Sequence, residues 1–337
     1  MWIGSGTQSN QGRASLMKRL DDRTIPDRST EIRCFFCGRN EASRIPEFLE
    51  YHRRLGVDRF FFVDNGSIDE SVELALADES VHVWRTEQPY QDSRFGVDWQ
   101  EALLQQFGGG QWCLLLDLDE FFYFPFCDQG RNFKDFLATL DSAGHPVVKS
   151  MMLDMYSDRS IVETRLGSDQ SIFEICPYFD RPRHLSLFFT RDFQRMQRIY
   201  FQGVRQRVFS TSAIIRKYPL VRYSKDMRFS PGHHHLPVDA RSLGRERTFL
   251  FHFKFLSGLQ EYARESIDRE CHWNASSEYR IYLDRIDRDS NLNLYDPRVS
   301  IRFRDTDTFI KHRMLRRRGR RTGAAEVTAA LLRRIVK

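Results

Sequence analysis

Short apolar runs punctuate the first half of the chain at Cys34–Cys37, Phe60–Val63, Val81–Trp84, Trp112–Leu116 and Val147–Leu153. Each has the length and density of a strand buried on both faces. Between them the apolar period changes. Ile45, Phe48, Leu49, His52 and Leu55 fall on one helix face, with Pro46 suited to the first turn and Ser43 to the N-cap. The same spacing returns at Val72, Leu74, Ala75 and Leu76, at Val97, Leu103, Leu104 and Phe107, and at Phe133, Phe136, Leu137 and Leu140. Strand then helix, four times over, predicts βαβ units and a mainly parallel, mixed α/β sheet. Ligands of such sheets lie beyond the carboxyl ends of the strands, so those ends are where chemistry is expected.

The pattern shifts further along. Leu185 to Leu256 is rich in β-forming stretches ("HLSLFF", "RIYFQGVRQRVF", "TFLFHFKFL"), which predicts later strands and loops over the same sheet. Gln260 to Asp289 reads as charged helix and Asp296 to Arg304 as extended chain. Residues 1–30 are polar and without period, which predicts a flexible leader. At 337 residues, with 41% hydrophobic positions, the chain has enough apolar material for a full core, so global disorder is excluded. No run approaches a membrane span and no apolar h-region opens the chain, so the expectation is a soluble, cytoplasmic protein.

The net charge of +6 is misleading as a mean. Ten Lys or Arg against Glu326 give the stretch from Lys311 to Lys337 a charge of +9, leaving −3 for everything before it. The basic pI therefore belongs to the tail. No aromatic residues interleave with its basic ones, and nucleic acid is not an expected partner. Val327, Leu331 and Ile335 follow the "RRRGRR" cluster at helical spacing, a pattern suited to peripheral contact with an anionic membrane. The six cysteines include one C-x-x-C, Cys34 and Cys37, inside a strand-like run that sends them to opposite faces. They are expected as core thiols.

Acids gather at three strand ends. The first run leads into Asn40-Glu41, the second into Asp64-Asn65-Gly66-Ser67-Ile68-Asp69, and "WCLLLDLDEFF" closes on Asp117, Asp119 and Glu120. Asp117 and Asp119 share a face, and paired carboxylates at the end of an apolar strand suit a hard divalent ion that also binds phosphate oxygens. Ser67 and Glu70 fit a capping box at a helix start, which leaves Asp64 without a structural task. "CFFCGRNEASRIPEFLEYHRRLGVDRFFFVDNGSIDES", followed about fifty residues later by "WCLLLDLDEFF", resembles the opening of a family 2 glycosyltransferase with the GT-A fold. The likeness is to a bacterial subgroup whose strands end in Asn-Glu, V-D-N-G-S-x-D and D-x-D-E.

That resemblance implies a GT-A-type three-layer α/β/α sandwich with a helical C-terminal extension. Residues 31–256 would form the transferase domain, divided into a nucleotide-sugar half (31–155) and an acceptor half (156–256). Residues 257–310 would be the extension and 311–337 a basic amphipathic tail. It further implies a metal-dependent, inverting enzyme that moves a sugar from a nucleotide-sugar donor to a saccharide acceptor, lipid-linked acceptors included. Asn40, Glu41, Asp64 and Asp69 would surround the nucleoside. Arg94 and Asp98, in and after "SRFGVDW", would lie near the diphosphate. Asp117 and Asp119 would hold Mn²⁺ or Mg²⁺, with His252 as a late imidazole ligand. Inversion needs a carboxylate base, and the resemblance points to Asp180 in "YFDR", with Asp226, Asp239 and Glu246 as alternatives. Two other functions fit a similar sheet. One is a GT-A module that binds nucleotide sugar or glycan without turnover. The other is a sugar-phosphate nucleotidyltransferase, disfavoured because "CGRNEAS" lacks the Gly-rich, basic loop that grips a triphosphate.

Overall fold

The computed structural model describes residues 17–28, 30–167, 170–181, 185–190, 195–200, 203–211, 213–269 and 273–317. The strands are β1 (Lys18–Arg19), β2 (Ile32–Gly38), β3 (Arg59–Asp64), β4 (Val81–Arg85), β5 (Trp112–Asp117), β6 (Glu120–Tyr123), β7 (Val147–Tyr156) and β8 (Tyr178–Asp180), then β9 (Leu185–Thr190), β10 (Arg195–Tyr200), β11 (Arg216–Arg222), β12 (Thr248–His252) and β13 (Ser300–Arg302). All but the β9–β10 hairpin join one mixed sheet, whose main path runs β1-β4-β3-β2-β5-β11-β7-β12-β6. Strands β4, β3, β2 and β5 form the parallel block that the strand–helix alternation predicts. The second half departs from it. β11 lies antiparallel between β5 and β7, β12 runs parallel to β7, and β6 lies antiparallel to β12 at the far edge.

The helices are α1 (Ile45–Leu55), α2 (Ser71–Leu76), α3 (Val97–Phe107), α4 (Phe133–Ser142), α5 (Ile172–Ile175), α6 (Val204–Phe209), α7 (Leu259–Asp268), α8 (Trp273–Arg288) and α9 (Thr306–Lys311). Strand alternation sorts the core into two layers. Cys34, Phe36, Phe60 and Phe62 pack with the buried faces of α1 and α4. Phe35, Cys37, Phe61 and Val63 face the other way, against Val97, Leu103 and Leu104 of α3. Helices thus cover both faces of the sheet, which is the expected three-layer α/β/α arrangement. Cys34 and Cys37 fall into different layers as buried free thiols. Phe209 of α6, Leu259 of α7 and Tyr282 of α8 build a separate cluster with Tyr156 and Phe255, so the C-terminal helices pack against the ends of β7 and β12.

Part of the expected leader is structured. Lys18 and Arg19 pair antiparallel with Arg85 and Trp84, making β1 the sheet's edge. Asp21 accepts from the Val83 amide at 2.9 Å and the Arg23 guanidinium donates to the carbonyls of Asp78 and Val81 at 2.6 and 2.9 Å. This anchor uses charged side chains on backbone groups, which leaves no hydrophobic period to read. Residues 1–16, and the tail from residue 318 with its amphipathic pattern, lie outside the described residues. Among the described residues no helix is long and apolar enough to cross a membrane.

Candidate functional site

Each acid cluster stands at the carboxyl end of a parallel strand. At the end of β2, a side chain on Gly38 would collide with Leu118, so glycine lets the β2 turn and the Asp117–Asp119 turn approach each other. Asn40 then adopts a left-handed backbone (φ 54°). Its side-chain oxygen accepts from the Ile68 amide at 2.9 Å, tying the first loop to the second. Asp69 tightens the same junction by accepting from the amides of Ala42 and Ser71, both at 3.0 Å. Asp64 is fully buried and accepts from the Ser67 amide at 3.1 Å, with Arg85 at 3.6 Å. Ser67 is therefore not a helix cap. Its hydroxyl accepts from the Asn40 amide at 2.9 Å, and α2 starts later, with Glu70 at its N-cap. Likewise Arg44, not Ser43, occupies the N-cap of α1.

These loops border a cleft of about 1220 Å³ roofed on the other side by α7 and α8. Asn40, Glu41, Asp117, Asp119 and His252 line it, whereas Asp64, Asp69, Arg94, Asp98 and Asp180 do not. Arg94 donates to Asp98 at 2.7 Å, to Glu101 at 2.6 Å and to the Phe229 carbonyl at 2.6 Å. That clamp fixes the loop whose Tyr90 and Phe95, beside Trp99 of α3, reach the cleft wall. Asp180 is committed elsewhere. Its oxygens accept from Arg207 at 2.8 and 3.0 Å and from the Tyr156 hydroxyl, and its strand pairs with β7 and β13. The acid expected as base is thus held in a structural ion pair outside the cleft.

Sheet register assembles the centre of the cleft. His252 at the end of β12 is the register partner of Asp154 on β7 and of Glu120 on β6. The His252 Nδ1 lies 2.6 Å from Asp154, which also accepts from the Arg205 Nε at 2.8 Å, while Nε2 faces Asp119 at 3.0 Å. Burial pulls the imidazole's proton affinity down, but Asp119 and Asp154 outweigh it and push His252 up to about 9. Burial alone would raise Asp119, yet His252, Lys254 and Arg44 hold it well below the ordinary carboxylate range. On the other side of the turn, the Lys217 ammonium bridges Asp117 at 2.8 Å and Glu120 at 2.5 Å. For Asp117 the ammonium overcomes burial and lowers the carboxyl; for Glu120 burial with Asp117 and Asp119 nearby prevails, lifting it to about 7.

The donor set fits a divalent ion. Asp119, Glu120 and His252 each offer a ligand atom within 4.8 Å of the others. The 3.0 Å between Asp119 and His252 Nε2 equals the spacing of two adjacent ligands of an octahedral ion bound at about 2.1 Å. Asp154 behind Nδ1 turns Nε2 toward the cleft, the usual carboxylate support of a ligating imidazole. An ion would have to displace the proton that His252 carries at neutral pH.

Asp154, Lys217 and Lys254 carry much of this electrostatics together with Arg205, and those first three are not prominent in the motifs. Asp154 had a signal, because it directly follows the apolar run Val147–Leu153 just as Asp117 follows Trp112–Leu116. Lys217 had none, since its strand enters the sheet only through a distant antiparallel pairing.

No family model matches the chain. Among curated proteins, it is 29% identical over 113 residues to a glycosyltransferase family 92 protein of Ricinus communis, covering 33% of this chain and 20% of that one. It is 34% identical over 107 residues to a family 92 protein of Arabidopsis thaliana, covering 31% and 18%. The aligned part thus spans about a fifth of the length of these relatives. A solved structure of HddC from Yersinia pseudotuberculosis is similar at 8% identity and a TM-score of 0.26, over 56% of this chain and 73% of that one. That likeness is too low to bear on the fold. The relatives' names support the glycosyltransferase resemblance but read family 92, not the family 2 that the motifs suggest.

Proposed function

We propose that the chain is a glycosyltransferase that takes a nucleotide-sugar donor and passes the sugar to a saccharide acceptor. The observation that carries this reading is the convergence of Asp119 and His252, with Asp154 supporting the imidazole from behind, in the cleft that Asn40 and Glu41 also line. The partial similarity to family 92 glycosyltransferases supports the same class.

In this reading Asp119 and His252 hold Mn²⁺ or Mg²⁺, with Asp117 and Glu120 beside them under the Lys217 ammonium. The bound ion would supply charge stabilisation to the departing diphosphate. Asn40 and Glu41 border the nucleoside. Asp64 and Asp69 act on it indirectly, by fixing the two loops, and Arg94 with Asp98 shapes the aromatic wall beside it. The base that takes the acceptor's hydroxyl proton must line the cleft, which moves the role from Asp180 to Glu278. Glu41 is tied to Arg44, and Glu265 to Arg39 at 2.7 Å, both on the nucleotide side. Glu278 stands on α8 with Arg205 at 3.6 Å, and Arg205 and Lys254 keep it ionised against burial. The tail's basic residues would meet an anionic membrane surface if the acceptor is lipid-linked.

The test is binding of UDP-, GDP-, dTDP- and CMP-sugars with and without Mn²⁺, followed by donor hydrolysis and transfer. Binding without hydrolysis or transfer to any saccharide would favour the non-catalytic module instead.

A further inference from the structure

Arg205 and Lys254 are left with open donors on the C-terminal wall of the cleft. Arg205 is buried, at 6% exposure, and lines the cleft. Its Nε is bonded to Asp154 at 2.8 Å and its Nη1 lies 3.6 Å from Glu278, but its buried Nη2 has no hydrogen-bond partner. A buried guanidinium with an unused N–H pair is costly, and native structures rarely keep one without a reason. Lys254 follows His252 by two residues and lines the same wall. Its ammonium donates to the Tyr279 hydroxyl at 2.7 Å and lies 4.5 Å over the Tyr279 ring, with the Tyr282 ring at 5.9 Å. Among the described residues no carboxylate comes within ion-pair distance of it. Two cationic side chains, one with a buried N–H group left unused and the other held by aromatic groups, therefore line one cleft of about 1220 Å³.

We propose that Arg205 Nη2 and Lys254 Nζ form an oxyanion subsite that binds a phosphate or carboxylate group of the acceptor. This rests on the transferase reading and deepens it by naming the acceptor's chemical class, an anionic saccharide. The two residues come from α6 and from the segment after β12, and with α8 they line the part of the cleft built by the second half of the chain. Charge-assisted hydrogen bonds to an oxyanion are the strong ones, whereas a neutral hydroxyl would leave the Lys254 ammonium without an anionic partner. The Tyr279 ring beside the ammonium lines the same cleft and supplies an aromatic contact for the sugar.

The experiment is calorimetric titration of the full chain in EDTA with inorganic phosphate, glucuronate and uncharged glucose, in the wild type, Lys254→Met and Arg205→Lys. Phosphate or glucuronate should bind and glucose should not. Each variant should weaken the oxyanion at least about tenfold, the scale of one lost charge-assisted hydrogen bond. Lys254→Met keeps the stem packed on Tyr279 and covers the case in which Arg205→Lys does not fold. Equal binding of glucose, no binding of either oxyanion, or unchanged affinity in Lys254→Met would overturn the proposal. A second titration uses nucleoside diphosphate with Mn²⁺. If Lys254→Met weakens that ligand as much as the free oxyanion, the group bound is the donor's and the acceptor assignment falls. If Asp119→Ala leaves the nucleotide titration intact, the transferase reading fails separately.

Discussion

Asp154 shows how one residue can govern a site that it does not line. It accepts from Arg205 and sets the orientation of His252, whose other nitrogen faces Asp119. Asp154→Asn should leave the fold intact and weaken Mn²⁺-dependent nucleotide binding by about 10- to 100-fold, the usual cost of losing a ligand's carboxylate support, as read by Mn²⁺ titration. Glu278→Gln should behave differently. It should lower kcat by about 10² or more with little change in donor affinity, as expected for a lost proton acceptor, and steady-state kinetics would show an unequal effect on kcat and KM. The acids of the D-x-D-E turn were legible in the sequence because charge at the end of an apolar strand has no packing rationale. Asp154 carries the same signature, and only the absence of a familiar motif around it hid its importance. Asp180 misled for the opposite reason: a motif suggested a role, while its partners Arg207 and Tyr156 come from distant segments whose pairing no local pattern reports.

At the scale of elements, the four strand–helix units were readable because period changes from strand to helix mark them plainly. The antiparallel insertion of β11 between β5 and β7 was not, since pairing order depends on contacts far apart in sequence. Yet that insertion delivers Lys217 to the acidic turn. The packing of α1 on β6 contains a second buried imidazole with a purely structural task. His52 Nδ1–H donates to the Phe48 carbonyl at 2.8 Å, while Nε2 accepts from the Phe122 amide at 3.2 Å, so only the neutral ring satisfies both. Burial, resisted by the Phe48 carbonyl, depresses His52 from 6.5 to about 3. Between those values the unfolded chain binds a proton that the folded chain refuses. The stability present above pH 6.5 is therefore lost as pH falls toward 3. His52→Gln should retain both kinds of hydrogen bond and flatten the acid limb of Tm against pH between about 6 and 4.5. An unchanged slope would remove His52 from the account.

For the whole molecule, the parallel block, the antiparallel half and the C-terminal helices each contribute one wall of a single cleft. The first half supplies Asn40, Glu41, Asp117 and Asp119, β12 supplies His252, and α8 supplies Glu278. A three-layer α/β/α sandwich with strand-end chemistry was expected from the sequence. The anchoring of residues 17–28 to the sheet edge was not, because it is made by charged groups on backbone carbonyls and amides. The central claim is that Asp119 and His252 hold a divalent ion for a nucleotide-sugar donor. Its most direct test is equilibrium binding of nucleotide sugars across a Mn²⁺ titration, comparing the wild type with Asp119→Ala, His252→Ala and Asp180→Asn. The account predicts Mn²⁺-dependent binding of one nucleotide class, lost in the first two variants and retained in the third. Equal binding in the wild type and Asp119→Ala, or no binding of any donor at millimolar concentration, would contradict it.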